Sequence, residues 1–76
     1  MARTSHKYDP FMAAIERAFR KGRETDQEWF VVYDRDLERY SLASQYDMDT
    51  YYLGINPADV LYSSVEGIIG TPPPQP

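Results

Sequence analysis

Apolar residues near the start of the chain recur at a helical period. Phe11, Ile15 and Phe19 fall at i, i+4 and i+8, flanked by Met12, Ala14 and Ala18, an apolar arc of about 160° at roughly 100° per residue. Asp9 precedes Pro10. That pair is a helix start: the carboxylate accepts orphan amides of the first turn, and proline there gives up an N–H that would be unpaired anyway. Glu16, Arg17, Arg20 and Lys21 lie opposite, with Glu16 and Arg20 spaced as an i,i+4 ion pair. Gly22 is expected to end the helix, leaving Arg20, Lys21 and Arg23 near the negative end of its dipole.

The period then changes. After the polar stretch 24–27, Glu28 to Tyr33 (EWFVVY) is dense in aromatic and β-branched residues and predicts a strand. Trp29, Val31 and Tyr33 share one face, Phe30 and Val32 the other, which suits a central strand covered on both sides. Asp34-Arg35-Asp36 reads as a turn, and Glu38 to Ala43 as the second strand of a hairpin, with Tyr40 and Leu42 inward and Arg39, Ser41 and Ala43 outward. Gln45 to Tyr52 alternates poorly for a strand and is short for a helix, so a loop or single helical turn is expected, ending at Gly54. Residues 56–59 predict a turn into a third strand built on Val60, Leu61 and Tyr62, with Val65, Ile68 and Ile69 beyond it. Thr71 to Pro76 (TPPPQP) is a polyproline tail that cannot join a sheet interior.

These elements predict an α+β fold: one N-terminal amphipathic helix on a small antiparallel sheet of about three strands. The expected organisation is a flexible arm over residues 1–8, one domain over 9–70 and a disordered proline-rich tail over 71–76. One helix covers only one face of such a sheet. The second apolar face then needs the loop at 44–55, the last residues, or a partner copy against it.

Composition narrows the functional classes. A chain of 76 residues makes one domain at most, and a domain near this size buries only about 60% of its unfolded surface. No cysteine is present, so neither disulfides nor thiolate metal sites are available. No apolar run approaches the roughly 20 residues of a membrane-spanning helix. The basic start, Met1 to Lys7, lacks the apolar stretch of a secretory signal. A cytoplasmic protein is expected.

Charge is divided by position. Residues 1–23 carry six bases and two acids, a net +4, whereas residues 24–76 carry ten acids and two bases, a net −8, within an overall −4. The acidic part also holds Trp29 and six of the seven tyrosines. Such a balance, with a pI near 4.7, disfavours sequence-independent binding to DNA or anionic lipid and favours a basic partner surface.

Catalytic constellations are missing. The one histidine, His6, lies in the arm and there is no cysteine, so a nucleophile–histidine pair has no basis. Asp34, Asp36 and Glu38 match the first three odd positions of a calcium loop, but Arg39 and Gln45 stand where that loop needs glycine and a bidentate glutamate. Asp47 and Asp49 fail similarly, with Tyr52 at the glycine position. Gly67 and Gly70 bracket two isoleucines with no Lys-Ser/Thr after them, so no phosphate loop is present. No enzymatic activity, metal or cofactor is expected.

What stays is the stretch Tyr46, Asp47, Met48, Asp49, Thr50, Tyr51, Tyr52. Tyrosine gives large contact area for little rotamer entropy and is enriched at interfaces, and neighbouring carboxylates select Arg or Lys opposite them. The expected binding face takes its charge from Asp34, Asp36, Glu38, Asp47 and Asp49 and its anchors from Tyr46, Tyr51 and Tyr52. In size, acidity and layout the whole chain resembles the small inhibitors that phages and mobile elements direct against host machinery, anti-CRISPR proteins in particular. The resemblance implies a protein of the host cytoplasm that binds a nuclease or CRISPR-effector subunit and blocks its nucleic-acid groove. Two alternatives come from other classes: a nucleic-acid-binding regulator using Arg17, Arg20, Lys21 and Arg23, and a dimeric assembly protein joined through the aromatic sheet face.

Overall fold

A computed structural model describes residues 9–74. The arm over residues 1–8 and the last two tail residues lie outside the described part. In chain order the elements are helix α1 (Pro10–Thr25), strands β1 (Trp29–Asp34) and β2 (Arg39–Ser44), a short helix α2 (Gln45–Asp49), a 3-10 turn (Pro57–Asp59), and strands β3 (Val60–Ser63) and β4 (Gly67–Ile68). The fold is α+β, one long helix on an antiparallel sheet. The sheet has four strands in the order β2-β1-β3-β4, one more than the sequence pattern suggests.

α1 begins as expected. The Asp9 carboxylate accepts from the amides of Phe11 and Met12 at 3.0 and 3.3 Å. It does not stop at Gly22 but runs to Thr25, where Asp26 takes the left-handed conformation (φ 56°). Gly22 is instead a packing glycine. A Cβ there would meet Ser64 Oγ at 2.8 Å and Ser64 Cβ at 3.0 Å, so the missing side chain lets the helix approach the turn after β3. The anticipated Glu16–Arg20 pair does not form: among the described residues the one ion pair is Arg35–Asp59.

β1 and β2 form the hairpin, in register from Trp29 opposite Ser44 to Asp34 opposite Arg39. Trp29, Val31, Tyr33, Tyr40 and Leu42 therefore share one face, and with Tyr62 of β3 they pack under Ala14 and Ala18 of α1. Phe11 and Tyr33 each meet the Tyr40 ring at 5.4 Å between centroids. β1 pairs on its other edge with β3, through a bulge at Val31/Val32.

The opposite face is covered by the chain itself. Val32, Ala43 and Leu61 are all fully buried, so Ala43, expected to point outward to solvent, lies in a second apolar layer. The chain after β2 returns across this side: α2 caps on Ser44, and the loop beyond it delivers the Tyr52 hydroxyl to Asp34 Oδ2 at 3.2 Å. At the other end, the amides of Ile69 and Gly70 both donate to the Leu61 carbonyl, at 2.9 and 3.1 Å. Val32, Ala43 and Leu61 on this face are thus buried within the single chain.

β4 escapes sequence reading because it is two residues long. It exists through its partners, Ile68 opposite Tyr62 and Gly67 opposite Ser63. The intervening turn is tied by Ser63, whose hydroxyl accepts from the amides of Val65 and Glu66 at 3.0 and 3.2 Å and donates to the Glu28 carboxylate.

Candidate functional site

The β1–β2 turn and the 51–59 loop meet at one end of the sheet. Asp34 closes β1 and starts the turn: its Oδ1 accepts from the amides of Asp36 and Leu37 at 3.0 and 3.1 Å, an Asx turn of the kind short acidic side chains favour. Glu38 completes the turn in the left-handed region at φ 53°. Beside it, Pro57–Asp59 is seeded by Asn56, whose side chain accepts from the Ala58 amide at 2.9 Å. This turn aims Asp59 inward, where Arg35 grips it with two bonds of 2.9 Å each. Asp59 is buried while Arg35 stays open to solvent. The bond and charge of Asp59 together raise the Arg35 pKa above its already high ordinary value.

Between these segments lies a cleft of about 450 Å³, walled by Tyr33, Asp34, Arg35 and Asp36 from the hairpin and by Tyr51, Tyr52, Gly54, Ile55, Asn56 and Asp59 from the loop. Tyr51 and Tyr52 pack edge to face, 4.7 Å between ring centroids at 86°. On their far side is a second cleft of about 520 Å³, whose walls include Arg17, Leu37, Arg39 and Ser41. Tyr51, Tyr52 and Asp34 line both hollows, the first also holding Asp36, Asp59 and Arg35 and the second Arg17 and Arg39. Burial pushes the Tyr52 phenol above its ordinary range and the charge of Asp34 adds to this, while a hydrogen bond with Ser41 works against it.

The carboxylates in this cleft are largely engaged. Asp34 holds two amides and a phenol, and Asp59 holds both arms of a guanidinium. Asp36 is the exposed one. Among the described residues no three acidic or histidine side chains converge on a point where a metal could sit, and no helix is long and apolar enough to cross a membrane.

The eight residues expected to form a binding face divide by role. Tyr46 and Tyr51 are 75% and 71% exposed, and Asp36, Glu38 and Asp49 also face solvent. Asp34, Asp47 and Tyr52 are spent on structure. Asp47 accepts from the Ser44 amide at 3.0 Å while its own amide donates to Ser44 Oγ at 3.1 Å, a reciprocal cap that starts α2. The first cleft gathers Asp34, Asp36, Tyr51 and Tyr52. Tyr46, Asp47 and Asp49 sit on α2, and Glu38 in the turn, outside its walls. Sequence reasoning missed Arg35, Asp59 and Leu53. The first two lie 24 residues apart with no local signal between them. Leu53, which follows the tyrosine pair in a polar-looking loop, is 74% exposed.

No family model matches this chain, and no curated protein or solved structure is significantly similar to it.

Proposed function

We propose that this chain is a non-enzymatic binding protein that docks the flank around Tyr51 on a basic protein surface and occludes it. One observation carries the reading. A domain this small is short of core, and its largest fully buried side chains are only Leu61, Val31, Val32 and Ser63. Yet Tyr46, Tyr51 and Leu53, three larger or equal side chains within eight residues, stand in water. Apolar and aromatic groups left outside such a core, beside the exposed acids Asp36, Glu38 and Asp49, suit a partner that supplies cations around an apolar centre.

Basic grooves on proteins are commonly the places where nucleic acid lies, so competition with that nucleic acid is the mechanism to expect. The likeness in size and acidity to phage inhibitors of the anti-CRISPR kind points the same way, and implies action in the cytoplasm. The reading as a nucleic-acid-binding regulator fares less well. Arg17, Arg20, Lys21 and Arg23 share one broad arc of about 160° on α1, but Glu16 and Glu24 fall within it and share a surface with Arg20 and Arg23, and Lys21 is drawn over the Trp29 ring at 5.2 Å.

The test is a charge and anchor exchange at two exposed positions, Asp36 and Tyr51. Immobilised wild-type chain is expected to retain a basic, nucleic-acid-binding protein from lysate and to displace nucleic acid from it in a titration. Asp36→Lys/Tyr51→Ala, with an unchanged circular dichroism spectrum, is expected to lose both. Equal capture and displacement by the variant would remove this face from consideration.

A further inference from the structure

α1 carries a second stripe on the side turned away from the sheet. Its core side is centred on Ala14 and Ala18, both fully buried. Met12, Glu16, Phe19 and Arg23 follow one another at spacings of four, three and four, which sets them in one line about 150° round the helix from that core. Met12 and Phe19 are 47% and 49% exposed. Val65, in the turn after β3, lines a shallow groove with Phe19 and Arg23 and widens the apolar area. Glu16 and Arg23 have no ionic partner among the described residues, and the Arg23 guanidinium rests over the Phe19 ring at 5.7 Å.

This stripe is complementary to itself in one orientation. Along the helix axis Glu16 precedes Phe19 by about 4.5 Å, and Arg23 follows it by about 6 Å. A second copy turned end for end about a two-fold axis at Phe19 sets the two phenyl rings together. It also brings each Glu16 opposite Arg23 of the other copy, with Arg20 on the same flank, so that each carboxylate enters between two guanidinium groups. The parallel arrangement would put Glu16 beside Glu16 and Arg23 beside Arg23, which repel. We propose that this chain self-associates as an isologous antiparallel dimer through the Met12–Glu16–Phe19–Arg23 stripe, on the layer opposite the Tyr51 flank. One short helix pair is a small interface, so the association is weak and concentration-dependent.

Sedimentation equilibrium on the full chain tests this. The apparent mass is expected to rise from 8.8 kDa towards double that value between about 10 µM and about 1 mM protein. Phe19→Asp should stay monomeric throughout. Glu16→Arg and Arg23→Glu should each weaken association by about tenfold or more, and the combined Glu16→Arg/Arg23→Glu should recover part of that loss, because the exchanged charges face each other across the two-fold while Arg20 now meets a like charge at position 16. Glu16 and Arg23 stand two helical turns apart in one chain, so this recovery cannot arise within a monomer. All these positions are on the helix surface, and a urea midpoint close to wild type confirms that each variant folds; should Phe19→Asp fail, the charge series decides. A wild-type chain that stays at monomer mass at the highest concentration overturns the proposal, as does a dimer indifferent to Phe19→Asp or a double exchange that associates no more tightly than either single variant.

Discussion

Replacing Gly22 by alanine separates two explanations of why a helix carries glycine three residues before its end. If the residue is only a poor helix former, alanine stabilises by about 1 kcal/mol. The structure gives the opposite sign. The new Cβ would lie 2.8 Å from Ser64 Oγ and 3.0 Å from Ser64 Cβ, and Ser64 is not free to move. Its amide donates to the Trp29 carbonyl at 2.8 Å and its hydroxyl accepts from the Trp29 amide at 2.9 Å. Swinging the hydroxyl away strands a half-buried N–H, which costs about 1–3 kcal/mol; lifting the helix off the turn costs about as much in packing. Set against the propensity gain, Gly22→Ala should destabilise by about 1–2 kcal/mol. The decisive comparison is the same substitution in a Ser64→Gly background, where only the milder 3.3 Å approach to the Gln27 carbonyl oxygen is left and alanine should range from neutral to stabilising by up to about 1 kcal/mol. Urea unfolding at low micromolar protein, followed by circular dichroism, gives both values. A raised midpoint for Gly22→Ala in both backgrounds would refute the close-approach argument.

Three further outcomes follow from the site geometry. Asp34→Ala leaves the amides of Asp36 and Leu37 without their acceptor and should destabilise by about 2–4 kcal/mol, whereas Asp34→Asn keeps an acceptor oxygen and should cost under about 1 kcal/mol in the same unfolding assay. The raised Tyr52 phenol means the unfolded chain loses this proton first. Its contribution to stability is therefore complete below the ordinary tyrosine pKa of about 10 and declines as pH climbs through the higher folded value; Tyr52→Phe should flatten that alkaline limb, and an unchanged slope would remove Tyr52 as its source. Asp47→Ala removes the acceptor of the Ser44 amide, one half of the α2 cap, and should cost about 1 kcal/mol, with amide exchange quickening over residues 45–49 and not in α1.

Local chemistry was readable and long-range chemistry was not. Asp9-Pro10 starts α1, the apolar density of residues 29–33 makes a central strand, and 56–59 turns into β3, because each signal acts within a few residues. The end of α1 was misread because Gly22 answers to Ser64, 42 positions away, and not to its own neighbours. The same limit hid the cover on the second sheet face, since nothing in Ala43 or Leu61 tells which segment will return over them. The binding face shows an intermediate case. The Asp34 turn was legible as turn chemistry, whereas the Ser44-x-x-Asp47 cap went unread, and both use the very carboxylates that composition alone would spend on a partner. Arg35 and Asp59 had no such signature; their pairing is a product of topology.

Trp29 occupies a junction. Its indole N–H donates to Thr25 Oγ1 at 2.9 Å, the Lys21 ammonium lies over its ring, and its backbone exchanges hydrogen bonds with Ser64. The molecule's one indole thus touches the last turn of the helix, the central strand and the far hairpin at once. Its emission should shift whenever any of these three units comes away from the others, so a single intrinsic fluorophore watches the seams among them without a label.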